Sequence, residues 1–286
     1  MSPGKPSIAI IGPGNLGSAL ALALAQGGYK ITEIVSREQR ASQERARALA
    51  RRVGARAATV SSARLEAGLV WFCVNDGAIA SSARELASAG WKGKIALHSS
   101  GALTSDELRA LRRRSAAVAS LHPMMTFTGG TPPSLKGVVF AVEGDAAAVG
   151  VCRRIVRDLG GAIFTIAKKK KPLYHAWGAF ASPLLVSGLA VAEGIAARAG
   201  VERAWARRGM KPIIRQTLEN YFAQGAAAAF SGPLVRGDVT TVQKHLRALR
   251  QIPGARETYL ALARAALQNL PVRNRKALGK IFQRKQ

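Results

Sequence analysis

Cysteine is scarce in this chain of 286 residues, which contains only Cys73 and Cys152. Two cysteines cannot form a disulfide framework, and neither lies beside another metal ligand in the sequence. The sequence therefore excludes the small disulfide-stapled domains, and we expect no metal site. Cysteine use of this kind is typical of proteins in the reducing cytoplasm, where we expect this chain to act.

Long uninterrupted apolar runs are also missing. The segment before the first glycine-rich loop, MSPGKPSIAIIG, is too short for a signal peptide. The most apolar stretch, residues 178–197, is interrupted by Ser182, Pro183, Gly188 and Glu193, whereas a membrane span needs about 20 mostly apolar residues. We therefore predict a soluble protein without a membrane span, and a buried helix over residues 178–197.

Acidic residues are few: the chain has 16 Asp and Glu and 43 Lys and Arg, which gives a formal net charge of +27. The excess is larger in residues 167–286 (22 basic, 5 acidic) than in residues 1–166 (21 basic, 11 acidic). An apolar content of 48% excludes a disordered chain. Such a field attracts phosphates and nucleic acids, but no zinc-finger, RNA-binding or basic-zipper motif accompanies it. Nucleic acid is therefore not the expected partner, and a basic nucleic-acid scaffold is only the third interpretation of the chain.

The pattern of apolar residues divides the chain into two parts. Up to residue 166, short strand-like runs alternate with helical patterns, which is typical of an α/β fold with a largely parallel sheet. The predicted strands are SIAIIG, KITEIVS, ARAATV, LVWFCV, KIALHS, AVASLH, GVVFAVEG and GAIFTI. We predict a Rossmann-type doubly wound sheet over residues 1–166 and an all-α domain over residues 167–286. The boundary falls in the run AKKKKP, which we interpret as a solvated linker or helix start.

The pattern of apolar residues in the second part predicts a series of helices. The pattern predicts one helix over 173–199, a second over 202–223 that Pro212 kinks or splits, and a loop in GAAAAFSGPLVRGDV. Further helices are predicted over 239–249 and 253–269, and a short basic helix closes the chain.

A glycine motif follows the first predicted strand. Its pattern is Gly-x-Gly-x-x-Gly, it lies between a strand and a helix, and this is the context of a dinucleotide-binding loop. In this motif the first glycine permits the tight turn, the second lets the backbone approach a pyrophosphate, and the third lets the helix pack on the strand. The phosphates then lie at the positive end of the helix. We predict cofactor contacts from Gly12, Gly14, Asn15, Leu16 and Gly17.

The end of the second predicted strand indicates which dinucleotide binds. An NAD site usually has Asp or Glu here, but this chain has Ser36 and Arg37, with Arg40 one helical turn later. An arginine can bind a 2′-phosphate through its planar guanidinium, and the Ser36 hydroxyl can donate a hydrogen bond to the same phosphate. We therefore predict NADP(H) rather than NAD(H).

Polar residues follow two other predicted strands. Val74 and Asn75 follow the fourth strand, and we expect them beside the cofactor because ligands bind at the carboxyl ends of such strands. Asp76 comes next and is predicted to cap the following helix. Ser99 and Ser100 follow the fifth strand, where their hydroxyls can bind a nicotinamide amide or a substrate carboxylate.

Histidines recur at the same predicted edge of the sheet. His98 ends the fifth strand, His122 ends the sixth, and His175 lies just after the domain boundary. A lone histidine is more often a hydrogen-bonded structural residue than a catalyst, so the role of each stays open. Imidazole titrates near neutral pH, which makes His122 and His175 our candidates for the general acid.

Four segments together resemble a known family: HSSGAL, LHPMMTF, LYHAWGAFAS and SGPLVRGD. They look like the bacterial Rossmann-like proteins with a C-terminal helical domain of unknown function. These proteins are similar to pyrroline-5-carboxylate reductases and to 6-phosphogluconate and β-hydroxyacid dehydrogenases. The resemblance covers nearly the whole chain. It implies a dimeric, NADP-linked oxidoreductase with its active site between the two domains.

The chain departs from the dehydrogenase pattern on the first helix of the second part. That resemblance implies a catalytic lysine and a nearby asparagine, but the pair Tyr174-His175 stands where the lysine is expected and Pro183 where the asparagine is expected. Arg236 in GPLVRGD is a candidate to bind an anionic substrate group.

The sequence thus predicts an NADP(H)-dependent oxidoreductase that acts on a small, anionic hydroxy, keto or imine substrate. The predicted catalytic residues are His175, His122, Ser99, Ser100 and Arg236. The alternative is a non-catalytic NADP(H)-binding sensor or regulatory protein, which Pro183 and the missing lysine favour.

Overall fold

The first part of the chain forms one sheet of eight strands in the computed structural model, which describes residues 4–283. The strand order is β3-β2-β1-β4-β5-β6-β7-β8. Strand β7 runs antiparallel to β6, and the other neighbouring pairs are parallel. The predicted Rossmann-type sheet is confirmed. The strands are β1 (Ile8–Ile11), β2 (Ile31–Ser36), β3 (Arg56–Thr59), β4 (Leu69–Phe72), β5 (Ile95–His98), β6 (Ala117–Pro123), β7 (Val139–Gly144) and β8 (Ala162–Thr165).

Both faces of the sheet are buried, which explains why its strands are nearly continuous apolar runs. Along β1, Ile8 and Ile10 belong to the apolar cluster on one face, and Ala9 and Ile11 belong to the cluster on the other. This alternation follows the two-residue period of a strand. The covering helices are α1 (Asn15–Gln26), α2 (Arg40–Val53), α3 (Asp76–Glu85), α4 (Arg109–Arg112) and α5 (Ala146–Asp158).

Parallel pairing places several functional turns at one edge of the sheet. Strands β1, β2, β4, β5 and β6 all run in the same direction. Their carboxyl ends, and the turns that follow them, therefore lie along the same edge, which is where open α/β sheets bind ligands.

The rest of the chain is helical, as predicted, but its helix boundaries differ. The predicted single helix over 173–199 is two helices, because the chain leaves the helical conformation at Ser182 (φ −133°, ψ −81°) and Pro183 starts a new helix. The helices are α6 (Lys171–Ala181), α7 (Pro183–Arg198), α8 (Arg203–Gln224), α9 (Ala226–Ala229), α10 (Pro233–Arg236), α11 (Val239–Ala248), α12 (Ala255–Asn269) and α13 (Arg275–Gln283).

Pro212 does not split α8, which is continuous over 22 residues. A proline inside a helix leaves the carbonyl four residues earlier without its usual donor. Here Pro212 and Arg208 are both exposed, so water can satisfy that carbonyl. The predicted loop over residues 225–239 contains the two single-turn helices α9 and α10.

Contacts divide the chain into two compact units, Met1–Ala179 and Phe180–Gln286. This division lies later than the sequence-based boundary at residue 166, because the first turns of α6 are buried in the first unit through Lys171 and Tyr174. The second unit has its own apolar core, to which α11, α12 and α13 contribute Val242, Leu260 and Phe282.

The predicted buried helix over residues 178–197 is wrong. Helix α7 buries none of its residues, and Leu184 and Val186 are 48% and 63% exposed. The stretch Lys168–Arg198 is long and apolar enough to cross a membrane by length and composition alone, which is weak evidence for a span. An apolar composition suits burial inside a domain and burial against a partner equally well, so the pattern alone did not distinguish them.

Candidate functional site

The glycine loop between β1 and α1 has the geometry that its three glycines predict. Gly12 has a φ of +103°, and a Cβ atom there would lie 2.6 Å from the carbonyl oxygen of Cys73. A Cβ atom on Gly17 would lie 2.0 Å from the carbonyl oxygen of Gly12. Gly14 is different, because no heavy atom lies within 4 Å of its Cβ position. Two glycines therefore permit close packing, and the third leaves open space above the backbone.

The amino end of α1 faces this open space without a side-chain cap. Gly14 is the N-cap residue and makes no capping hydrogen bond, and α1 has no acidic residue in its first turn. The first N–H groups of a helix have no partner inside the helix and carry partial positive charge. Asn15 and Leu16 belong to this first turn, and the Asn15 side chain donates a hydrogen bond to the Phe127 carbonyl oxygen (3.2 Å). The turn therefore offers backbone donors to an anion.

A cavity of about 250 Å³ lies beside the loop. The glycine loop forms one wall, the end of β2 with α2 forms another, and the turn from β4 to α3 forms a third. The predicted cofactor residues that line the cavity are Gly12, Gly14, Ser36, Arg37, Val74 and Asn75. Ser42, Arg45 and Cys73 also line it, and the sequence did not indicate a cofactor contact for these three.

Two predicted phosphate contacts differ from expectation. The Ser36 hydroxyl is buried and donates a hydrogen bond to the Ala58 carbonyl oxygen (3.3 Å), so its proton is not directed at a phosphate. Arg40 does not line the cavity. Its guanidinium pairs with Glu44 one helical turn later (3.0 Å), and its side chain is 93% exposed.

The turn after β4 is joined to the turn after β5. Asp76 is the first residue of α3 and does not cap it, because Asn75 is the N-cap residue; the predicted capping role is therefore wrong. Instead, the Asp76 carboxylate accepts a hydrogen bond from the Ser100 hydroxyl (2.8 Å). The same hydroxyl oxygen accepts hydrogen bonds from the N–H groups of Ala102 and Leu103. Ser100 thus holds two turns of the edge together.

His98 is a structural residue. Its Nδ1 accepts a hydrogen bond from the Ser100 N–H (3.1 Å), so Nε2 carries the proton and donates to the Thr104 carbonyl oxygen (2.9 Å). Burial lowers the pKa of His98 to about 4, which keeps the ring neutral at neutral pH. The neighbouring Ser99 hydroxyl accepts a hydrogen bond from Trp71 Nε1 (2.8 Å).

Lys171 is the functional candidate that the sequence analysis missed. Its side chain is fully buried, and its Nζ donates hydrogen bonds to the Ser100 carbonyl oxygen (2.9 Å) and to the Ser120 hydroxyl (2.7 Å). Burial lowers the pKa of Lys171 to about 8, although Glu143 and Asp76 oppose the shift. Lys171 lies about one helical turn before the pair Tyr174-His175 that stands where the resemblance implies a lysine, so this helix does bring a lysine to the cluster. The run AKKKKP reads as a solvated segment, and no periodic signal marks which of its lysines turns inward.

His122 and Tyr174 form a hydrogen-bonded pair beside Lys171. His122 Nδ1 lies 2.7 Å from the Tyr174 hydroxyl oxygen. Burial, with the nearby charge of Lys171, lowers the pKa of His122 to about 4, and burial raises the pKa of Tyr174 to about 12. Both groups are therefore neutral at neutral pH.

His175 is exposed and lies next to this pair, with its ring centroid 6.3 Å from that of His122. Gly101 lies close to both rings. A Cβ atom on Gly101 would lie 2.7 Å from His175 Cδ2 and 2.9 Å from His122 Nε2. The structure thus brings together His122, His175 and the Ser99–Ser100 turn.

The remaining predicted catalytic residue, Arg236, belongs to the second unit. It is exposed at the end of α10, next to the glycine that follows the helix. Its contact with a substrate stays a prediction. Across residues 4–283, no three His, Cys, Asp or Glu side chains are grouped to hold a metal ion.

Two family models match consecutive parts of the chain. Residues 1–123 match a Rossmann-like domain, and residues 138–266 match the family described as Domain of unknown function (DUF2520). No curated protein matches the chain.

Solved structures with the same fold cover nearly the whole chain. A Bacteroides fragilis protein whose provisional name is NADP oxidoreductase is 22% identical, with a TM-score of 0.76 over 91% of this chain and 97% of that chain. A Thermotoga maritima protein whose name states no activity is 25% identical, with a TM-score of 0.73 over the same shares. The imine reductase of Myxococcus stipitatus, in complex with NADP+, is 18% identical, with a TM-score of 0.68 over 98% of this chain and all of that chain. These likenesses show the shared fold.

Proposed function

We propose that this chain, a Rossmann-like domain followed by a DUF2520 domain, is an NADP(H)-dependent oxidoreductase of a small, anionic hydroxy, keto or imine substrate. The observation that carries the proposal is the hydrogen bond between Ser100 and Asp76. Asp76 follows Asn75, which lines the cavity, and Ser100 belongs to the cluster that contains Lys171 and His122. A cofactor cavity and a group of proton-carrying side chains thus adjoin each other in one unit.

The cavity fits a dinucleotide phosphate. The space above Gly14 lets an anion approach the backbone, and the uncapped amino end of α1 supplies N–H donors. Arg37 lines the wall at the end of β2 and is the proposed partner of a 2′-phosphate. Names of proteins with the same fold include an imine reductase in complex with NADP+, which supports this assignment.

A bound nicotinamide supplies a hydride, which goes to the carbonyl or imine carbon of the substrate. The substrate oxygen or nitrogen must then gain a proton from this chain. We assign that proton to the His122–Tyr174 pair. In this assignment the Tyr174 hydroxyl donates to His122 Nδ1, so the proton of the imidazole ring is on Nε2, the atom that faces Gly101. When Nε2 gives its proton to the substrate, the Tyr174 proton moves to Nδ1, and the Tyr174 oxygen then regains a proton from water.

Lys171 and His175 act around this pair in the proposal. Burial, with the charge of the Lys171 ammonium group as the second cause, lowers the pKa of His122 and keeps its ring neutral, so that His122 passes protons on rather than holding one. His175 is exposed beside the pair and is the second candidate for the general acid. Arg236 is the proposed partner of the substrate's anionic group.

A kinetic comparison tests the catalytic assignment. Purified protein is mixed with NADPH and with separate panels of 2-keto acids, aldehydes and cyclic imines, and loss of the NADPH absorbance is followed. With the substrate that responds, His122→Asn and Tyr174→Phe should each lower kcat by about 10²-fold or more, with NADPH affinity unchanged. Unchanged turnover in the double variant of His122 and His175 would show that neither histidine carries the proton.

The non-catalytic sensor remains the second candidate. Pro183 in place of the expected asparagine favours it, and so does the absence of a lysine at the position of Tyr174-His175; the buried Lys171 at the cluster speaks against it. A sensor would bind NADPH and oxidise it with no member of the three substrate panels.

We also propose that the protein is a homodimer, formed through α7 and α8. These two helices pack against each other, and both expose large apolar side chains, including Leu184 and Val186 on α7 and Ile213 and Phe222 on α8. On α8 an ion pair between Arg215 and Glu219 lies among these residues, which does not suit the interior of a bilayer. Two such helix pairs that meet face to face form a symmetric four-helix arrangement.

Light scattering tests the dimer. The wild-type chain should have the mass of two copies, and Phe222→Asp should yield the mass of one copy. Leu262→Asp on α12, where Leu262 is also exposed, is the matched control and should leave the mass unchanged. A wild-type mass of one copy would exclude the dimer.

A further inference from the structure

We propose that Arg45, together with Arg37, binds a phosphate group on the ribose of an adenine nucleotide, and that Arg40 does not. The inference rests on the proposed cofactor and assigns one of its contacts to a residue that the motif does not indicate. Arg37 and Arg45 line the same cavity as Gly12 and Gly14.

Some of the arginines around the start of α2 already pair with another side chain of the protein, and others do not. Arg40 pairs with Glu44 at 3.0 Å, and Arg47 donates a hydrogen bond to the Gln43 side chain (3.4 Å). Within residues 4–283, Arg37 and Arg45 form no side-chain hydrogen bond or ion pair. The two cations without a partner are thus the two that line the cavity.

Helix geometry separates Arg45 from Arg40. Successive residues of an α-helix are about 100° apart, so residues that differ by five positions lie roughly 140° apart around the helix. Ser42 lies three positions before Arg45, on the same side of α2. Ser42 is buried and lines the cavity, which fixes that side of α2 as the cavity side. Arg40 and Glu44 extend from a different side of the helix.

Among the residues that the structure describes, no acidic side chain lines this cavity. Two acidic residues adjoin these arginines in the sequence: Glu44, which precedes Arg45 and pairs with Arg40, and Glu38, which follows Arg37. The Glu38 carboxylate accepts hydrogen bonds from the hydroxyl (2.8 Å) and the N–H (3.4 Å) of Ser61, on the turn after β3. These hydrogen bonds from Ser61 also lower the pKa of Glu38. The wall at the end of β2 therefore presents two positive charges and holds its neighbouring negative charges elsewhere.

Two guanidinium groups on one wall suit a phosphomonoester, which carries a charge of roughly −1.5 to −2 near neutral pH. Arginine binds phosphate oxygens through paired N–H donors. The glycine loop, which forms another wall of the cavity, suits the pyrophosphate, so we infer that the phosphate at the arginines is a second one, on the ribose. A dinucleotide without that phosphate would leave both arginines facing a neutral sugar.

Equilibrium binding to the full chain tests the assignment. The ligands are NADPH, NADH, adenosine 2′,5′-bisphosphate and adenosine 3′,5′-bisphosphate, and the variants are Arg45→Met, Arg40→Met and Arg47→Met. Arg45→Met should weaken NADPH and the 2′,5′-bisphosphate on the order of 10- to 100-fold, and NADH by no more than about twofold. Arg47→Met is the matched control and should bind like the wild type, and thermal unfolding should show that each variant is folded.

The outcomes separate this inference from the proposed function. If the wild type binds NADPH and Arg40→Met weakens it while Arg45→Met does not, the cofactor stands and the Arg45 assignment is wrong. Tighter binding of the 3′,5′-bisphosphate than of the 2′,5′ isomer would overturn the position of the phosphate. If the wild type binds neither dinucleotide but binds the 2′,5′-bisphosphate through Arg45, the oxidoreductase proposal falls and the phosphate site stands. If the wild type binds none of the four ligands, both are wrong.

Discussion

A Cβ atom on Gly17 would lie 2.0 Å from the carbonyl oxygen of Gly12, which is closer than any side chain can approach without a shift of the backbone. No heavy atom lies within 4 Å of the Cβ position of Gly14. Glycines of one motif thus serve different purposes. Gly17 is required by the fold of the protein itself, whereas we propose that the open space at Gly14 admits the cofactor.

This difference predicts opposite results for two alanine substitutions. Gly17→Ala should lower the free energy of unfolding by about 1–3 kcal/mol, because the new methyl group overlaps the backbone of β1's turn. Gly14→Ala should leave that free energy within about 0.5 kcal/mol and weaken NADPH binding about tenfold or more, because the methyl group occupies space meant for the pyrophosphate. Urea unfolding and NADPH titration measure both. Normal NADPH affinity in a folded Gly14→Ala variant would contradict this account of the loop.

The charge of Lys171 should contribute to the low pKa of His122. Burial is the larger cause of the low pKa of His122, and the charge of Lys171 is the next. Lys171→Met removes that charge and should raise the pKa of His122 from about 4 towards its ordinary value of 6.5. NMR titration of the imidazole signals measures the shift. Lys169→Met, on an exposed lysine of the same run, is the control and should leave the titration of His122 as in the wild type.

Stability should fall as the solution becomes mildly acidic. His98 and His122 have folded-state pKa values of about 4, against 6.5 for an ordinary histidine. Between these values the unfolded chain binds more protons than the folded chain, so the free energy of unfolding decreases as the pH falls through this window. Above pH 6.5 the contribution of both rings is fully present.

Urea unfolding at about pH 7 and about pH 5 measures this dependence. His98→Gln removes one titrating ring and should make the change between the two pH values smaller. A wild-type free energy of unfolding that is equal at both values would contradict the neutral, buried state of these histidines.

Gly101 should be intolerant of a side chain. Its Cβ position is 2.7 Å from His175 and 2.9 Å from His122, so Gly101→Ala should push one ring away from its position and lower turnover more than NADPH affinity. Overlap of this kind lowers the free energy of unfolding by about 1–3 kcal/mol. Gly150→Ala is the matched control, because Gly150 lies within α5 with open space around it, and alanine there should stabilise the protein by up to about 1 kcal/mol. Steady-state kinetics and unfolding curves of both variants test this. A Gly101→Ala variant with the kcat of the wild type would contradict the prediction.

The sheet was predictable because its signals are local. Each strand is a short apolar run bounded by turn residues, and burial on both faces keeps such runs free of charge. The glycine motif was equally local, since its three positions and the flanking strand and helix lie within one short segment. The division of residues 173–199 into two helices was not predicted. It depends on the backbone conformation of one residue, Ser182, which the helical pattern of apolar residues does not reveal.

The details of the site depend on contacts between residues that are distant in the sequence, and such contacts cannot be read from the sequence alone. Lys171 is one of four consecutive lysines, and only its contacts with Ser100 and Ser120 distinguish it. Arg40 and Arg45 are the same residue type on one helix, and the pairing of Arg40 with Glu44 separates them. The sequence leaves the role of His98 open, and only the hydrogen bonds between both of its nitrogens and the backbone show that it is structural.

The central claim is that the cavity beside Gly14 binds NADPH, and thermal unfolding with added dinucleotide tests it most directly. A ligand at a hundred times its dissociation constant stabilises a protein by about 2.7 kcal/mol. The account predicts a clear rise in the melting temperature with NADPH, a smaller rise with NADH at the same concentration, and loss of the NADPH effect in Gly14→Ala. No rise with either dinucleotide would contradict the claim, and a larger rise with NADH would contradict the role given to Arg37 and Arg45.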